Sequence, residues 1–439
     1  MFLVAQRKGL FIFMKYKLND YLISTYDEND NLIIYDTLRQ KIWMVEKDKV
    51  ACIKEVGRQI IETGEYRGSI QIINTLLKHK IIQRTDTNVK EELETLYRNV
   101  LFNQDVLSVI LLPTEKCNFR CTYCYENFEN GKMNDDIISK IEDIINNWLP
   151  QYNILHINWF GGEPLLAIDV IKKTSEKVLQ ICKKLQKPFY SSITTNGYLL
   201  DLHTMKELLK LHVMVFQITI DGDKRAHDKQ RILQNGEGTY DIILQNLLNI
   251  KNQIKTKTIK IIIRVNVSKD INESALNELI KLFEDDKRFI ISVQKIFEVG
   301  GKSDNAAPNL SDYIKTLEKC AHHYVDDLDP HEAICYAAKQ NTLMIRSDGS
   351  MSKCTVNFQD KKNYFGNILS KDVKDVTLNS YVYNRSQHKK EECIRCCIYP
   401  LCFGRQCPAR SHQLCDLLIT KYTQTIKSLS SKAEIIEII

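Results

Sequence analysis

The start of the chain changes from short alternating runs to a longer apolar repeat. Asn31–Asp36 and Lys41–Val45 are β-rich runs on either side of a polar turn, a pattern that predicts a β-hairpin. Apolar positions three and four residues apart then predict amphipathic helices, which fall at Val50–Ile61, Ser69–Lys80 and Val89–Leu101. The pattern therefore predicts a small α+β module over residues 1–104.

From residue 105 to residue 300, β-rich runs alternate with helical ones. The β-rich runs are Val106–Leu112, Ile154–Phe160, Phe189–Thr195, Val215–Ile220, Ile259–Val267 and Phe289–Phe297. Helical patterns lie between them, for example at Asp135–Trp148, Ile168–Leu185 and Ile242–Ile254. This alternation predicts an α/β fold with parallel strands and crossover helices, either a partial (β/α)6 barrel or an open sheet. Functional side chains are then expected at the carboxyl ends of the strands.

The rest of the chain divides into two further parts. Gly300–Pro308 is a polar loop that indicates a domain boundary, and Asp312–Val325 has a helical pattern. A region dense in cysteine follows, so residues 301–415 are read as a linker helix and a cysteine-rich domain. Residues 416–439 are predicted to form a helical tail.

Charge and hydropathy exclude some classes of partner. The net charge of +6 is spread along the chain without a dense basic block, so nucleic acid is not an expected partner. No run of eighteen apolar residues occurs, so no membrane span is expected. Met1–Met14 lacks the order of a secretory signal, and Met14 opens a cleaner strand pattern. We expect a cytoplasmic protein whose natural start is Met14.

The chain has fourteen cysteines, which in a reducing cytosol indicate metal or redox sites rather than disulfides. Cys117, Cys121 and Cys124 have C-x3-C-x2-C spacing just after the first strand of the alternating region. Three close thiolates suit zinc or an iron–sulfur cluster. A zinc site usually needs a fourth ligand nearby, and the nearest histidine, His156, lies on a different predicted strand.

A glycine-rich turn ends the next strand, with the sequence Gly161, Gly162, Glu163, Pro164. Glycine lets a ligand approach the backbone closely, and a carboxylate accepts hydrogen bonds from an ammonium group. The cysteine triple, with Tyr123 before its last cysteine, followed one strand later by this turn, resembles the radical S-adenosylmethionine (radical SAM) superfamily.

That resemblance implies a 4Fe-4S cluster on the three cysteines, with its unique iron chelated by the amino and carboxylate groups of S-adenosylmethionine. It implies that the turn from Gly161 to Pro164 holds the methionine amino group and that Tyr123 lies beside the adenine. Reductive cleavage of the cofactor would yield a 5′-deoxyadenosyl radical, which abstracts a hydrogen atom.

Further matches follow along the predicted barrel. Asn196 belongs to a segment, Thr194–Gly197, that resembles the ribose-side motif of the superfamily. The segment Asp221–Arg231 resembles the D-G-x4-H-D-x2-R stretch of related maturases, and the resemblance implies that Thr219 and Arg231 bind the cofactor carboxylate. A fork of donors suits a carboxylate. His227, within that stretch, is expected to be structural, and no catalytic residue is assigned.

Eight more cysteines lie between Cys335 and Cys415, and Asp348-Gly349 between the first two is a hairpin signal. The region resembles the SPASM domain, except that four residues instead of three separate Cys402 from Cys407 and that Cys397 is an additional thiol. The resemblance implies two auxiliary 4Fe-4S clusters. The outer one would be held by Cys393, Cys396, Cys402 and Cys415, and the inner one by Cys335, Cys354 and Cys407.

The inner cluster is then one ligand short. A substrate thiolate, or Cys320 or Cys397, would complete it, unless the altered spacing shifts the assignments. Thiolate spacing alone also allows a pair of structural zinc sites.

SPASM-bearing enzymes mostly modify peptides or proteins, and the first module resembles their winged-helix-like recognition element. A leader peptide can add a strand to the edge of a hairpin such as Leu32–Val45. We therefore predict a maturase that cross-links a ribosomally made precursor peptide through a thioether or carbon–carbon bond. Epimerisation, with Cys397 as hydrogen donor, is a variant. The reductant would be a flavodoxin or ferredoxin.

Two alternatives to a peptide cross-linking maturase are a different enzyme activity and a non-catalytic protein. Anaerobic sulfatase maturases, which form formylglycine, carry an Asp directly after the equivalent of Cys354, where this chain has Thr355. A non-catalytic iron–sulfur redox scaffold is the other alternative, and it would not cleave S-adenosylmethionine.

Overall fold

The computed structural model describes residues 15–267, 271, 273–296, 335–357, 361–370, 391–403, 419, 422–423, 425–427 and 429–438. The strands are β1 (Tyr16–Leu18), β2 (Leu22–Tyr26), β3 (Leu32–Asp36), β4 (Lys41–Val45), β5 (Ile82–Arg84), β6 (Val106–Leu111), β7 (Ile154–Trp159), β8 (Phe189–Thr195), β9 (Val213–Thr219), β10 (Lys260–Val267), β11 (Phe289–Lys295), β12 (Thr342–Ile345), β13 (Ser350–Ser352), β14 (Tyr364–Asn367) and β15 (Glu434–Ile435). The helices are α1 (Lys47–Thr63), α2 (Ile70–Lys78), α3 (Lys90–Leu101), α4 (Asp135–Trp148), α5 (Ile168–Leu185), α6 (Leu202–Lys210), α7 (Lys224–Gln230), α8 (Tyr240–Gln253), α9 (Glu273–Phe283), α10 (Glu391–Ile394) and α11 (Tyr399–Cys402).

The first module contains an antiparallel sheet of β2, β3 and β4, followed by α1, α2 and α3. The predicted hairpin is confirmed, with Leu32 opposite Val45 and Asp36 opposite Lys41. The three predicted helices are confirmed within a few residues of their bounds. The sequence pattern did not identify β2 or the pairing of β1 with β5, because single short strands carry too few alternating positions to stand out.

The segment from residue 416 was predicted to be helical throughout, and this is wrong for its last described residues. Glu434–Ile435 form β15, which pairs in parallel with Trp43 and Met44 of β4. The edge of β4 offers unpaired backbone groups, and pairing with them satisfies the segment without a helix. The first module is therefore built from both ends of the described chain.

The central sheet confirms the alternation of strands and helices predicted after residue 105, over its described residues from Val106 to Lys295. Strands β6 to β11 lie side by side in chain order, and each pairs in parallel with the next. This is the arrangement expected of a partial (β/α)6 barrel. The fourth strand begins at Val213, two residues before the predicted start.

Packing of the sheet follows the alternation along each strand. In β7, Leu155, Ile157 and Trp159 are fully buried in the main hydrophobic core under the crossover helices. The intervening side chains face the other side and are only half-buried. There, His156 Nε2 lies 2.8 Å from Ser192 Oγ of β8. One face of the sheet thus carries the core, and the other is partly polar.

A second hairpin continues the sheet beyond β6. β12 pairs in parallel with β6, β13 pairs antiparallel with β12, and β14 pairs antiparallel with β13. Gly349 has a φ of 84°, as the tight turn between β12 and β13 requires. The predicted hairpin is confirmed, and it places Cys335 before β12 and Cys354 after β13.

Several predictions fall outside the described residues: the loop Gly300–Pro308 in full, the helix Asp312–Val325, and Cys320, Cys407 and Cys415. The domain boundaries stay predictions. None of the helices in the described ranges has the length and apolar character that a membrane crossing requires.

Candidate functional site

The cysteine triple lies on the loop between β6 and α4, at the carboxyl edge of the sheet. The loop pairs with the end of α7 and the residues that follow it, because Thr122 N donates to Gln230 O at 3.0 Å and Arg120 N donates to Ile232 O at 2.8 Å. Phe119, only 1% exposed, anchors its middle. The backbone of the loop is thus fixed on both sides of Cys121.

All three cysteines of the triple are half-buried. Burial raises the pKa of Cys117 to about 12 and that of Cys124 to about 11, and it also raises the pKa of Cys121. Cys117 Sγ accepts a hydrogen bond from Phe119 N at 3.4 Å and lies 4.0 Å from Asn196 Nδ2. Desolvation disfavours thiolates here, whereas a bound metal cluster would stabilise them. In the described part of the chain, no three Cys, His, Asp or Glu side chains converge as a site for a single metal ion.

The glycine-rich turn supports the cysteine loop directly. A Cβ atom at Gly161, whose φ is 110°, would lie 2.4 Å from Thr114 O. A Cβ at Gly162 would lie 2.5 Å from both Glu115 O and Lys116 O. The sequence pattern suggested that these glycines leave room for a ligand; in the structure, the backbone of the cysteine loop takes that room.

Glu163 joins the carboxyl ends of β7 and β8. It is fully buried, and its Oε1 accepts from Thr195 Oγ1 at 2.7 Å and from Leu165 N at 3.0 Å. Its Oε2 accepts from Asn196 N at 2.7 Å. Burial raises the pKa of Glu163, while these hydrogen bonds and Arg231 act in the opposite direction. Pro164 begins the short 3-10 turn that follows.

Asn196 connects that carboxylate to the cysteine loop. Its Nδ2 donates to Asn118 Oδ1 at 2.8 Å, and its Oδ1 accepts from Tyr198 N at 3.0 Å. The ribose-side residue of the sequence analysis is therefore held beside Cys117 by both of its side-chain atoms.

On the other side of the triple, Tyr123 lies in a buried polar network. Its hydroxyl donates to Asp221 Oδ2 and accepts from Arg231 Nη1 at 2.6 Å and from Asn266 Nδ2 at 3.1 Å. Asp221, fully buried, also accepts from Asn266 N at 2.8 Å. Asn266 was not predicted from the sequence, although an asparagine near the end of the apolar strand Ile259–Val267 was a usable signal.

Arg231 carries the positive charge of this network. It is 7% exposed, and its Nε has no hydrogen-bond partner among the described residues. Burial alone would lower the pKa of Arg231, but Cys121, Tyr123 and Asp221 reverse this and raise it. A buried guanidinium with one N–H uncommitted suits a carboxylate ligand. Thr219, also buried, ends β9 nearby in the chain.

His227 is structural in this arrangement, as expected. It is fully buried, its Nδ1 accepts from Asp221 N at 3.2 Å, and its Nε2 lies 3.0 Å from Thr239 Oγ1. Burial lowers its pKa well below the ordinary value. A neutral imidazole therefore ties the loop after β9 to the start of α8.

The second cysteine region separates into two groups. Cys335 and Cys354 pack in one small apolar cluster with Ala337, beside the β12–β13 hairpin. Between them, Tyr336 Oη lies 2.6 Å from Thr355 Oγ1. The hairpin is joined to the first cysteine loop by Arg346, whose Nε and Nη2 donate to the two carboxylate oxygens of Glu115 at 2.9 and 2.7 Å.

The other described cysteines contact the first module. Cys393, Cys396, Cys397 and Cys402 pack in clusters that also contain residues of the first module. Tyr21 Oη donates to Ile394 O at 2.8 Å, and Thr37 Oγ1 donates to Cys397 O at 2.6 Å. A hydrogen bond from Cys397 lowers the pKa of Cys396 to about 6 and raises that of Cys397.

The family model described as the radical SAM superfamily matches residues 111–283. Residues 111–283 are a radical SAM domain. The matched segment contains the cysteine triple, the glycine-rich turn and the network around Arg231. The chain is a radical SAM enzyme, and the cofactors of such an enzyme are a 4Fe-4S cluster and S-adenosylmethionine.

Relatives of this radical SAM enzyme span several activities. It is 25% identical over 340 residues to a cysteine-type anaerobic sulfatase-maturating enzyme of Clostridium novyi, covering 67% of this chain and 86% of that protein. It is 28% identical over 179 residues to a GTP 3′,8-cyclase of Clostridium perfringens, covering 38% of this chain and 49% of that protein.

Solved structures resemble it over most of its length. Native anSMEcpe with bound AdoMet and Kp18Cys peptide has a TM-score of 0.58 at 20% identity, covering 74% of this chain and 98% of that one. SuiB of Streptococcus suis, bound to the precursor peptide SuiA, has a TM-score of 0.52 at 16% identity, covering 89% and 95%. At these identities the likeness establishes the fold alone.

Proposed function

We propose that this radical SAM enzyme is a maturase that modifies a ribosomally made precursor peptide or small protein. The observation that carries the proposal is a radical SAM domain whose resemblance to solved structures continues into both flanking parts of the chain, over 89% of it in the SuiB comparison. SuiB and anSMEcpe have each been solved with a peptide bound.

The residues at the sheet edge fit the cofactors of the family. When bound, these cofactors supply a 5′-deoxyadenosyl radical that removes a hydrogen atom from the substrate. Cys117, Cys121 and Cys124 would hold the cluster, since their fixed loop presents three half-buried thiols. The uncommitted Nε of Arg231 would bind the carboxylate of S-adenosylmethionine.

The remaining proposed contacts are to other parts of S-adenosylmethionine. Thr219 would add a donor to the carboxylate site, and Tyr123 would lie beside the adenine. Asn196 would contact the ribose side. The turn from Gly161 to Pro164 would hold the amino group, with Glu163 keeping the ends of β7 and β8 together.

We further propose two auxiliary clusters. Cys335, Cys354 and Cys407 would hold the inner one, and Cys393, Cys396, Cys402 and Cys415 the outer one. The grouping of the described cysteines supports this division. Cys397 packs with Cys396 in the outer group, which disfavours it as the missing inner ligand and favours a substrate thiolate or Cys320.

The bond formed would be a thioether or a carbon–carbon cross-link. Each removes two electrons and two protons from the substrate. One electron and one proton would leave as the hydrogen atom taken by the 5′-deoxyadenosyl radical, an auxiliary cluster would accept the second electron, and the second proton would pass to solvent. A flavodoxin- or ferredoxin-type protein would supply the electron that starts the reaction.

Formylglycine formation is a second candidate, favoured by the 25% identity to the sulfatase-maturating enzyme of Clostridium novyi. The residue after Cys354 speaks against it. Thr355 is buried and hydrogen-bonded to Tyr336, and a threonine hydroxyl is not a general base near neutral pH.

The test is anaerobic reconstitution with iron and sulfide, followed by dithionite, S-adenosylmethionine and the peptides encoded beside the gene. Three four-iron clusters would bring about twelve irons per chain. We expect 5′-deoxyadenosine to form, and to be lost when Cys117, Cys121 and Cys124 are changed to Ala but not when Cys52 is. Mass spectrometry distinguishes a cross-link, which removes two hydrogen atoms, from formylglycine, which replaces a thiol by an aldehyde. Zinc in place of iron, or no cleavage, would refute the proposal.

A further inference from the structure

The turn that follows β3 contacts cysteines of the outer group. Thr37 is fully buried, and its Oγ1 donates to Cys397 O at 2.6 Å. The hydroxyl also lies 3.1 Å from Tyr21 O, but that carbonyl already accepts from Thr37 N at 2.9 Å. A hydroxyl has one proton to donate, and the shorter contact to Cys397 O takes it. A side chain of the first module thus holds the main-chain carbonyl directly after Cys396, a proposed cluster ligand.

The buried carboxylate of Asp36 fixes the turn that carries Thr37. Asp36 Oδ1 accepts from Leu38 N at 2.9 Å and from Arg39 N at 3.0 Å. Its Oδ2 accepts from Asn19 Nδ2 at 3.0 Å and from Arg39 Nη1 at 2.8 Å. Because these bonds hold the residues on both sides of Thr37, its hydroxyl has a fixed direction, as a group that orients a ligand needs.

The peptide unit between Cys397 and Ile398 has its oxygen on Thr37. This peptide bond is trans, so its C=O and N–H point in opposite directions. With the oxygen held by Thr37, the N–H of Ile398 points away from the first module. A hydrogen bond from the Cys397 thiol is the main cause that lowers the pKa of Cys396, and Ile398 N–H acts in the same direction. The N–H of Ile398 is therefore directed at the Cys396 sulfur.

Apolar side chains enclose this contact. Ile398 and Leu401 are fully buried, and they pack in one cluster with Cys402 and with Ile33 and Tyr35 of β3. Electrostatic interactions in such surroundings are screened less than at the surface. One N–H dipole therefore has a larger effect on a nearby charge here than it would have in water.

We propose that Thr37 is a positioning residue for the outer auxiliary cluster. By holding Cys397 O, it directs Ile398 N–H at a ligand sulfur and raises the reduction potential of the cluster. Such a hydrogen bond stabilises the reduced cluster more, because that state carries one more negative charge. The first module then sets the potential at which the outer cluster accepts an electron. The cluster itself rests on the proposed function, whereas the contact between Thr37 and the cysteine segment does not.

The test is a redox titration followed by electron paramagnetic resonance. It uses the reconstituted full-length chain with C117A, C121A and C124A, so that only auxiliary clusters contribute to the signal. The midpoint that disappears in C393A/C396A identifies the outer cluster. T37V keeps the shape of the side chain but lacks the hydroxyl. We expect it to lower this midpoint by the equivalent of about tenfold in the reduction equilibrium constant, or about 59 mV for one electron.

Three controls make the result specific. T37S restores the hydroxyl and should restore the wild-type midpoint. The midpoint of the inner cluster should stay unchanged in every variant at Thr37. T63V is the matched control, because Thr63 Oγ1 also donates to a main-chain carbonyl, Gln59 O at 2.8 Å, but at the exposed end of α1. T37A serves as a second test if T37V unfolds in circular dichroism.

An outer midpoint that is the same in the wild type, T37V and T37A would overturn the inference and leave the auxiliary cluster and the maturase assignment standing. If C393A/C396A removes no midpoint, the outer cluster and the inference fall together. A shift in T37V that T37S reverses, in a protein that modifies no peptide, would keep the inference and remove the maturase assignment.

Discussion

The ion pair between Glu115 and Arg346 is expected to hold the first cysteine loop against the β12–β13 hairpin. Its two hydrogen bonds measure 2.9 and 2.7 Å, and the side chains are only 3% and 20% exposed. Asn130 Nδ2 lies 3.2 Å from both carboxylate oxygens of Glu115 and is a neutral donor. Replacing Arg346 by Ala would leave a buried carboxylate with that amide as its remaining described partner.

Removing one partner of a buried ion pair lowers the stability of a protein by about 3–5 kcal/mol. Because Arg346 is partly exposed and Asn130 stays, we expect R346A to cost about 3 kcal/mol of local stability. R346K keeps the positive charge but loses the bidentate hydrogen bonding to Glu115, and we expect it to lower local stability by about 1–2 kcal/mol. E115Q/R346A should recover much of the R346A loss, since a neutral amide is cheaper to bury than an unpaired charge.

Hydrogen exchange of the amides in Thr342–Ser352 measures the opening free energy of the hairpin directly. The matched control is R58A, because Arg58 makes salt bridges to Glu55 and Glu62 on the exposed face of α1. We expect that control to change stability by less than about 1 kcal/mol. If R346A exchanges no faster than R58A, or if E115Q/R346A is no better than R346A, the reasoning from buried charge is wrong.

Three other predictions follow from the site. G162A should prevent cluster assembly, because the added Cβ would lie 2.5 Å from two carbonyl oxygens of the cysteine loop, and the measurement is bound iron per chain. The control is G57A, whose added Cβ has no atom within 4 Å; it should leave assembly intact and stabilise α1 by up to about 1 kcal/mol. In the metal-free protein at pH 8, iodoacetamide should modify Cys396, whose pKa is lowered to about 6, well before Cys117, whose pKa is raised to about 12. The rate of modification of Cys117 should still rise between pH 8 and pH 11. Peptide mass spectrometry measures both rates, and equal rates would contradict these pKa directions. R231K should weaken S-adenosylmethionine binding, measured by calorimetry, by about tenfold or more. A lysine ammonium cannot keep the hydrogen bond to Tyr123 and also donate two parallel hydrogen bonds to a carboxylate. Unchanged affinity would remove Arg231 from the cofactor site.

Much of the fold followed from local patterns. The strands from Val106 to Lys295 and the helices Asp135–Trp148 and Ile168–Leu185 were predicted to within about three residues, since buried parallel strands and amphipathic helices have different periods. The segment Glu434–Ile438 was misread, because a short run of isoleucine and glutamate fits either period and its strand partner lies at the other end of the chain.

The site shows the same division. Cysteine spacing and the glycine-rich turn are local, so the sequence alone was enough to predict that Cys117, Cys121, Cys124 and Gly161–Pro164 belong to one site. The sequence did not determine which groups complete it. Asn266 reaches Tyr123 across 143 residues, and Arg346 reaches Glu115 across 231. Such partners are selected by the order of strands in the sheet and by the need of buried polar groups for hydrogen bonds. Only the tertiary structure sets both conditions, because they depend on which distant segments meet in the folded chain.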